Sequence, residues 1–494
     1  MTLHLVVPIL APLGAAILCL GLHRSPRSQR LVSLVSCAGV SVYLFGGLWP
    51  RLWSEGVAMV AIGNWPPPYG IALAADMLSG VMLSLSAVAG LAVLVYAMAW
   101  LHEQQEEVFF YPLYQVLLMG VNGSFLTGDV FNLYVFFEVM LVSSFGLLVL
   151  GGRRPQIEGA IKYVAISQVS SALFLIGAGL VYGLTGTLNM ADLAGKLAQA
   201  DLSPYAAVAA LLFLVAFGIK AAICPLGGGR PASYHTAKTP ITAILGGLLT
   251  KVGIYGLYRL YPLLFPAQWL AQRYLLLGLA ALTMVVGVLG AVAQRDIKRL
   301  LSFHIISQIG YLIMGLGLAS PLALAAALYF TVHIVLVKTS LFLIAGLAER
   351  LTGTTELYAM GGLLRRRPGL ALAFLLTAAS LAGVPPLSGF FAKLGLILAG
   401  VQERDFWVVA IALGVSMLTL FSMLKIWAQA FMKEAPAELP VEARPQPALY
   451  GATLGLAAVA LLAGALAAPL FQVTQRAAQL MLDSGPYLAA VLGR

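Results

Sequence analysis

Apolar segments of about 20 residues recur along the whole chain and are separated by short polar connections. This length matches a helix that crosses the hydrocarbon core of a bilayer. The apolar residues are continuous rather than alternating, which excludes a membrane β-barrel. The pattern predicts an all-α polytopic membrane protein of about fourteen transmembrane helices. We place them near residues 2–22, 31–50, 73–100, 108–126, 129–150, 158–184, 204–236, 239–261, 273–292, 297–317, 322–348, 369–402, 406–432 and 447–471.

Helix-breaking residues interrupt two of these segments. The seventh segment contains Pro225 followed by three glycines, and the twelfth contains Gly383-Val384-Pro385-Pro386. Proline removes a backbone donor, so we expect both helices to break inside the membrane. Broken helices at the membrane mid-plane are typical of transporter sites.

The composition agrees with a membrane protein and excludes several other classes. The 494 residues are 61% hydrophobic and 10% charged, and the mean hydropathy is +0.93. Three scattered cysteines and the absence of a Walker loop or dinucleotide fingerprint predict no metal and no cofactor. The net charge of +10 does not indicate nucleic acid, because most Lys and Arg lie between apolar segments. They concentrate in the odd-numbered connections, which predicts that these connections face the cytoplasm and that both termini lie outside.

The chain also contains an internal repeat. LFLI recurs at 173–176 and 341–344, and LTGT recurs at 184–187 and 351–354. Aligning the two copies pairs Lys220 with Lys393, and Lys251 with Lys425. We predict two five-helix repeats, 108–261 and 262–432, after N-terminal helices in 1–107 and before a last helix and tail in 433–494. An odd number of spans per repeat means that the second copy inserts upside down.

Ionisable side chains lie inside several predicted spans. Glu138 lies in VFFEVMLVSSFGLLVL, Lys220 precedes the first break, and Lys251 lies in the next span. A charge at the centre of a transmembrane helix costs about 2.5–3.5 kcal/mol on insertion scales, so such residues are usually functional. Burial disfavours the charged form of a lysine, whereas a nearby carboxylate favours it. These residues therefore predict a proton relay, with a purely structural carboxylate as the alternative for Glu138.

The second half of the chain contains further titratable residues. His333 and Lys338 lie about 140° apart on an ideal helix and share a face only if a π-bulge intervenes. Lys393 follows the second break. Histidine titrates near neutrality and suits a relay link, although a simple hydrogen bond is the alternative for His333. Weaker candidates are His304, His235 near a membrane face, and Lys425, which rests mainly on the repeat.

Several of these stretches resemble the antiporter-like subunits of multisubunit cation/proton antiporters and of respiratory complex I, above all the D subunits of Mrp-type Na⁺/H⁺ antiporters. The matching motifs are TGDVFNLYVFFEVMLVSSFGLL, GIKAAICPL, ASYHTAKTPITAILGGLLTKVGIYGLYR, LLSFHIISQIGYLIMGLGLA and GVPPLSGFFAKLGLI. The resemblance implies fourteen spans, inverted repeats, broken seventh and twelfth helices, and other hydrophobic subunits as partners. It also implies relay roles for Glu138, Lys220, Lys251, His333, Lys338 and Lys393.

The chain departs from this family at Gly227-Gly228-Gly229-Arg230, where an aromatic-rich run is expected, and at Lys238. Neither change removes a titratable residue.

These observations predict a secondary transporter subunit in the cell membrane that moves protons in exchange for a monovalent cation. The main alternative is a proton-pumping subunit of a redox complex, either complex I-like or a membrane-bound hydrogenase. A stand-alone organic-solute transporter and an inorganic-carbon accumulation subunit are two further hypotheses. The chain contains no redox motif, so its partners would distinguish the first two.

Overall fold

A computed structural model describes residues 3–101, 109–198, 203–227, 233–435 and 446–493. The acidic connection 102–107 and residues 228–230 of the departure lie outside these ranges. The described chain is mostly helical. Its α-helices are α1 (Val7–Gly21), α2 (Pro26–Glu55), α3 (Met77–Trp100), α4 (Phe110–Leu126), α5 (Val130–Val149), α6 (Arg154–Thr185), α7 (Met190–Leu197), α8 (Ser203–Ala221), α9 (Thr239–Leu264), α10 (Pro266–Ala271), α11 (Arg273–Val292), α12 (Ile297–Leu318), α13 (Pro321–Thr352), α14 (Leu363–Arg366), α15 (Pro368–Ala382), α16 (Ser388–Gln402), α17 (Phe406–Met432), α18 (Pro447–Ala465), α19 (Ala467–Leu482) and α20 (Gly485–Leu492).

Twelve helices of the described residues are long and apolar enough to cross a membrane, namely α1, α2, α3, α5, α6, α8, α9, α11, α12, α13, α17 and α18. Two further predicted spans correspond to α4, which has 17 residues, and to the shorter pair α15 and α16. The predicted all-α membrane fold is therefore confirmed. The number fourteen holds when α4 and the α15–α16 pair each count as one span.

Both predicted breaks coincide with the end of a helix. α8 ends at Ala221, and the next residue, Ala222, has a left-handed φ of 70°. α15 ends at Ala382, where Gly383 has a φ of 95°, and α16 begins at Ser388. A left-handed residue stops a right-handed helix and turns the chain away. The predicted continuation of the seventh span to residue 236 includes 228–232, which lie outside the described residues.

Two predicted span boundaries were wrong. The third span begins only at Met77, because residues 72–75 form strand β2 (Ala72–Ala75), which pairs antiparallel with β1 (Ala58–Ala61). The last span ends at Ala465 rather than at 471, and the tail forms α19 and α20. α13 is a regular α-helix, so the condition for His333 and Lys338 to share a face is not met. The π-helical segments of the described residues are Leu44–Leu48, Leu245–Leu249 and Trp427–Met432.

The two copies of the repeat share helix lengths and helix ends. α6 and α13 each contain 32 residues, and they begin 167 positions apart. Each ends at a left-handed glycine, Gly186 with a φ of 70° and Gly353 with a φ of 74°. Glycine adopts this conformation without the steric cost that a Cβ would add. The LTGT motif therefore ends a long helix in the same way in both copies.

The two copies also form the same backbone contact at one end. Asp129 forms an isolated antiparallel bridge with Asn189, and Asp296 forms one with Glu356. Both aspartates cap the following helix by accepting a bond from the backbone amide three residues later. Each member of the second pair is 167 positions after its counterpart. The repeat is thus visible in backbone contacts, whereas its inverted insertion and the division into 108–261 and 262–432 stay predictions.

Three helices occupy the centre of the molecule. The most apolar windows of α9 and α13 are 100% buried and that of α12 is 94% buried, whereas those of α1 and α2 are 33% buried. Neighbouring helices therefore shield α9, α12 and α13 from lipid. These helices contain Lys251, His304, His333 and Lys338, so their polar groups face protein rather than hydrocarbon.

Candidate functional site

The first break brings two predicted residues together through a third. Lys220 lies one residue before the end of α8, and it is 4% exposed. Its Nζ donates a hydrogen bond to Ser171 Oγ at 3.1 Å. The Ser171 hydroxyl donates in turn to Oε1 of Glu138. Lys220 and the half-buried Glu138 are therefore linked through a hydroxyl from α6.

Sequence reasoning missed Ser171. A serine hydroxyl has one donor and two acceptor positions, so it can accept from an ammonium and donate to a carboxylate at the same time. The sequence shows four polar residues close together in the sixth span, Ser167, Gln168, Ser170 and Ser171. Their spacing does not show which of them faces Lys220.

Lys251 is fully buried on α9 beside the end of α8. Its Nζ donates to the Gly246 carbonyl at 2.9 Å. That carbonyl belongs to the π-helical segment Leu245–Leu249, where the wider turn alters the usual α-helical bonding. α8 and α9 touch through their backbones, because a Cβ on Gly253 would lie 2.7 Å from the Ala221 nitrogen. This close approach places the end of α8 against the turn that follows Lys251.

Lys338 and His304 continue the buried row across α13 and α12. Lys338 is fully buried, and its Nζ donates to the Leu301 carbonyl at 3.4 Å. The Leu301 carbonyl belongs to α12, and the next residue of α13, Thr339, lies against Gly247 of α9, so Lys338 lies where α9, α12 and α13 meet. His304 is also fully buried, with its Nε2 at 2.6 Å from Ser422 Oγ.

The second break places Lys393 against a helix end. Lys393 is 4% exposed, and its Nζ donates to the carbonyls of Leu381 and Ala382, both at 3.0 Å. These are the last two residues of α15, where helical carbonyls have no intrahelical partner. The ring of Tyr311 lies 5.2 Å from the same nitrogen. Lys393 therefore reaches back across the break and donates hydrogen bonds to the free carbonyls at the end of α15.

His333 sits next to this break. Its Nδ1 lies 2.9 Å from Ser388 Oγ, the first residue of α16. A Cβ on Gly389 would lie 1.8 Å from the Ser380 carbonyl and 2.8 Å from the imidazole of His333. Glycine is thus required at 389 for α15, α16 and His333 to meet. In the regular helix α13, His333 faces the break while Lys338 faces α12.

Buried polar atoms along this row lack a hydrogen-bond partner within the described part of the chain. They are Thr250 Oγ1, His304 Nδ1, Ser307 Oγ, both amide atoms of Gln308, His333 Nε2 and Ser340 Oγ. Buried polar groups in proteins are nearly always satisfied by protein or by ordered water. Their concentration on α9, α12 and α13 favours a hydrated axis.

Two of the three weaker candidates, Lys425 and His235, lie away from the middle of this row, whereas His304 lies within it. Lys425 is partly exposed, and its Nζ donates to the carbonyls of Val292 at 3.1 Å and Gln294 at 2.5 Å, at the end of α11. His235 is half-buried and lies four residues before the start of α9. The structure therefore places both near helix ends rather than among the buried lysines.

A buried ion pair was also missed. Both guanidinium nitrogens of Arg259 donate to the Asp76 carboxylate, at 2.5 and 2.7 Å, and one also donates to Ser79 Oγ at 3.0 Å. Burial alone would raise the pKa of Asp76, but the adjacent guanidinium outweighs it and holds this pKa below its usual value. The pair is 183 positions apart in sequence, so no local pattern indicates it. It joins the start of α3 to α9, eight residues after Lys251.

These features define a class of protein: a polytopic helical membrane protein with two broken helices and a buried row of lysines and histidines. The chain belongs to the NADH:quinone oxidoreductase/Mrp antiporter transmembrane family, whose model matches residues 127–419. The matched segment begins just before Glu138 and ends after Lys393, so it covers the whole row.

Individual relatives extend the match to the full chain. The chain is 44% identical over 492 residues to the D subunit of the Na(+)/H(+) antiporter of Alkalihalophilus pseudofirmus, with 99% of each protein covered. It is 37% identical over 391 residues to the N subunit of the NADH-quinone oxidoreductase of Desulforudis audaxviator, with 78% of each covered. A chain of the Mrp complex from Dietzia sp. DQ12-45-1b superposes with a TM-score of 0.92 at 32% identity, with 100% of each chain covered.

Proposed function

We propose that this chain is the proton-translocating membrane subunit of a multisubunit Na⁺/H⁺ antiporter in the cell membrane. The observation that carries the proposal is the buried row from Glu138 through Lys220, Lys251 and Lys338 to Lys393. Full-length similarity to the D subunit of an antiporter supports the exchange of Na⁺ for protons. The chain is a transporter subunit and does not catalyse a chemical reaction itself.

In the first half of the row, the charge on one group controls the next. An ionised Glu138 favours a charged Lys220, because opposite charges stabilise each other strongly in a low-dielectric interior. Neutralisation of Glu138 removes that stabilisation, and the burial of Lys220 then favours release of its proton. Lys251 lies on the adjacent helix and would receive the proton through water or hydroxyl groups.

In the second half of the row, repulsion between lysines moves charge onward. A proton on Lys251 disfavours a second one on Lys338, and a proton on Lys338 disfavours one on Lys393. His304 lies on α12, whose Leu301 carbonyl binds Lys338, and His333 contacts Ser388 at the start of the helix that carries Lys393, so each offers an imidazole for proton transfer near this step. A charge that enters at one end is therefore coupled to release at the other.

Other hydrophobic subunits would complete the transporter. Na⁺ prefers several oxygen ligands, as other hard cations do, and Glu138 is the single acidic residue that the sequence places deep in a span. The sodium path would then involve partner subunits, as the Mrp complex among the similar structures suggests. The distribution of basic residues supports both termini outside the cell.

A second candidate is a proton-pumping subunit of a complex I-like enzyme, favoured by the 37% identity to the N subunit of an oxidoreductase. The same row of residues would serve either complex. The difference lies in the subunits that bind this chain.

Everted membrane vesicles that contain the complete complex test the proposal. With a pH-sensitive dye, added Na⁺ should dissipate a preformed proton gradient, and vesicles that lack only this chain should not respond. Proton pumping that requires NADH or another electron donor, with no response to Na⁺, would support the second candidate instead.

A further inference from the structure

A carboxylate lies at one end of the seam between α13 and the start of α9. Glu349 is 31% exposed, and its Oε2 accepts hydrogen bonds from Lys298 Nζ at 2.6 Å and from Thr239 Oγ1 at 3.3 Å. Lys298 is only 6% exposed, so the ion pair lies at the boundary between solvent and the helical interior. Thr239 is four residues after His235, which places both at the same membrane face.

Polar groups follow this seam inward from Glu349. A Cβ on Gly346 would lie 2.7 Å from Thr239 Oγ1 and 2.7 Å from the hydroxyl of Tyr96. The hydroxyls of Thr239 and Tyr96 therefore both lie against Gly346, about one turn of α13 from Glu349. The Tyr96 hydroxyl donates to the Leu343 carbonyl at 3.3 Å, which is one turn deeper again.

The seam ends at the carbonyl that binds Lys251. A Cβ on Gly247 would lie 2.0 Å from Thr339 Oγ1, so this hydroxyl rests directly on the π-helical segment of α9. Gly246, the preceding residue, accepts the hydrogen bond from Lys251. From Glu349 to Thr339 the rise along α13 is about 15 Å, at about 1.5 Å per residue.

We propose that Glu349 is the residue through which protons enter the axis from the membrane face of His235, along this seam to Lys251. The inference rests on the proposed function and adds an entry point to it. A proton from water binds the carboxylate, is relayed by the hydroxyls of Thr239, Tyr96 and Thr339, and ends on Lys251 when its amine is unprotonated. The Tyr96 and Thr339 hydroxyls now donate to the carbonyls of Leu343 and Val335, so both must rotate for the relay to operate. Phe342 packs on Gly246 within the seam, so its ring must move for water to bridge the deeper step.

The charged and titratable groups near Glu349 come from several parts of the chain. Lys298 of α12 pairs with it, Arg350 follows it on α13, and the Tyr96 hydroxyl of α3 lies against Gly346 about one turn away. Lys238 precedes Thr239 in sequence, and Tyr450 of α18 interacts with Tyr96.

The test is Glu349→Gln in the complete complex, assayed in vesicles as Na⁺-dependent proton movement over a range of pH. The amide preserves the shape and the bond from Thr239 but cannot bind and release a proton. We expect the rate to fall by about tenfold or more at alkaline pH, where protons are scarce, and to fall less at acidic pH. Glu349→Asp should restore most of the rate.

Glu403 provides a matched control. It has the same exposure, 31%, and it is paired with Arg273 at 3.2 Å, but it lies at the C-terminal end of α16, away from this seam. Glu403→Gln should leave both the rate and its pH profile unchanged. If Glu349→Gln fails to assemble, Thr339→Val, which keeps the volume and removes the hydroxyl, should reproduce the alkaline loss.

Other outcomes contradict the inference. A normal rate for Glu349→Gln at every pH, or an equal loss at every pH, would show that this ion pair is only structural. Lys220→Ala measured alongside separates the two levels of the argument. If Lys220→Ala is inactive and Glu349→Gln is normal, only the proposed entry point is contradicted. If Lys220→Ala is active, the proposed function itself is contradicted.

Discussion

The two broken helices stabilise a buried lysine in different ways. At the first break, Lys220 precedes the break and contacts side chains, the Ser171 hydroxyl and, through it, the Glu138 carboxylate. At the second, Lys393 follows the break and contacts backbone carbonyls of Leu381 and Ala382. Both copies of the repeat therefore have the lysine and the break, but a different group compensates the charge in each.

This difference matters because only one of the two partners can titrate. The C-terminal end of a helix presents roughly half a negative elementary charge, which the fold fixes. A carboxylate presents a whole charge that disappears on protonation. The first break can thus switch the charge state of its lysine, whereas the carbonyls at the second break hold their lysine in a constant field. We infer that coupling begins at Glu138 and that Lys393 follows.

The largest effect should come from removing either Glu138 or Lys220. Glu138→Gln and Lys220→Ala should each lower Na⁺-dependent proton movement by about 100-fold or more, because each removes a titrating group from the relay. The assay uses everted vesicles with a pH dye and a measure of assembled complex. Full activity in either variant, in an assembled complex, would end the coupling role of this pair.

Lys393 should depend on titration rather than on charge alone. Lys393→Met keeps much of the volume and should be inactive. Lys393→Arg can still donate to the Leu381 and Ala382 carbonyls, but an arginine stays protonated and cannot pass a proton on, so it should also be nearly inactive. Lys393→Glu should retain measurable transport, since a carboxylate titrates. Transport is measured in the same vesicles.

The arginine variant is the sharpest of this series. If Lys393→Arg transports fully, a fixed positive charge at the second break is sufficient, and the relay ends before Lys393. If Lys393→Met transports normally in an assembled complex, neither its charge nor its proton is needed.

Much of this comparison was predictable from sequence. Pro225 and Gly383 break helices for local reasons, and the 167-residue offset of Asp129 and Asp296 is visible without any structure. The partners of the lysines were not predictable, because backbone carbonyls have no sequence signature and one serine in an apolar run resembles another. The π-helical segment next to Lys251 was likewise missed.

The smallest expected effect tests whether the Ser171 hydroxyl links Glu138 to Lys220 or only contributes to packing. Ser171→Ala keeps Glu138 and Lys220 but removes the group between them. We expect transport to fall by about tenfold, which corresponds to the loss of one hydrogen bond to a charged group. Ser171→Thr, which keeps the hydroxyl, should retain most of the activity. The initial rate of proton movement in vesicles measures both variants.

Ser170 is the natural control, because it is the adjacent residue and is equally buried, with its hydroxyl donating to the Ala216 carbonyl at 2.7 Å rather than to a titrating group. Ser170→Ala removes a buried hydroxyl from the same helix and should leave transport close to normal. Equal losses in the two alanine variants would mean that α6 needs its serines for packing against α8. In that case Glu138 and Lys220 would interact without a bridge, and the two breaks would differ only in the charge opposite each lysine. A loss confined to Ser171→Ala would show that its hydroxyl couples the charges of Glu138 and Lys220. At the second break, backbone carbonyls contact the lysine instead.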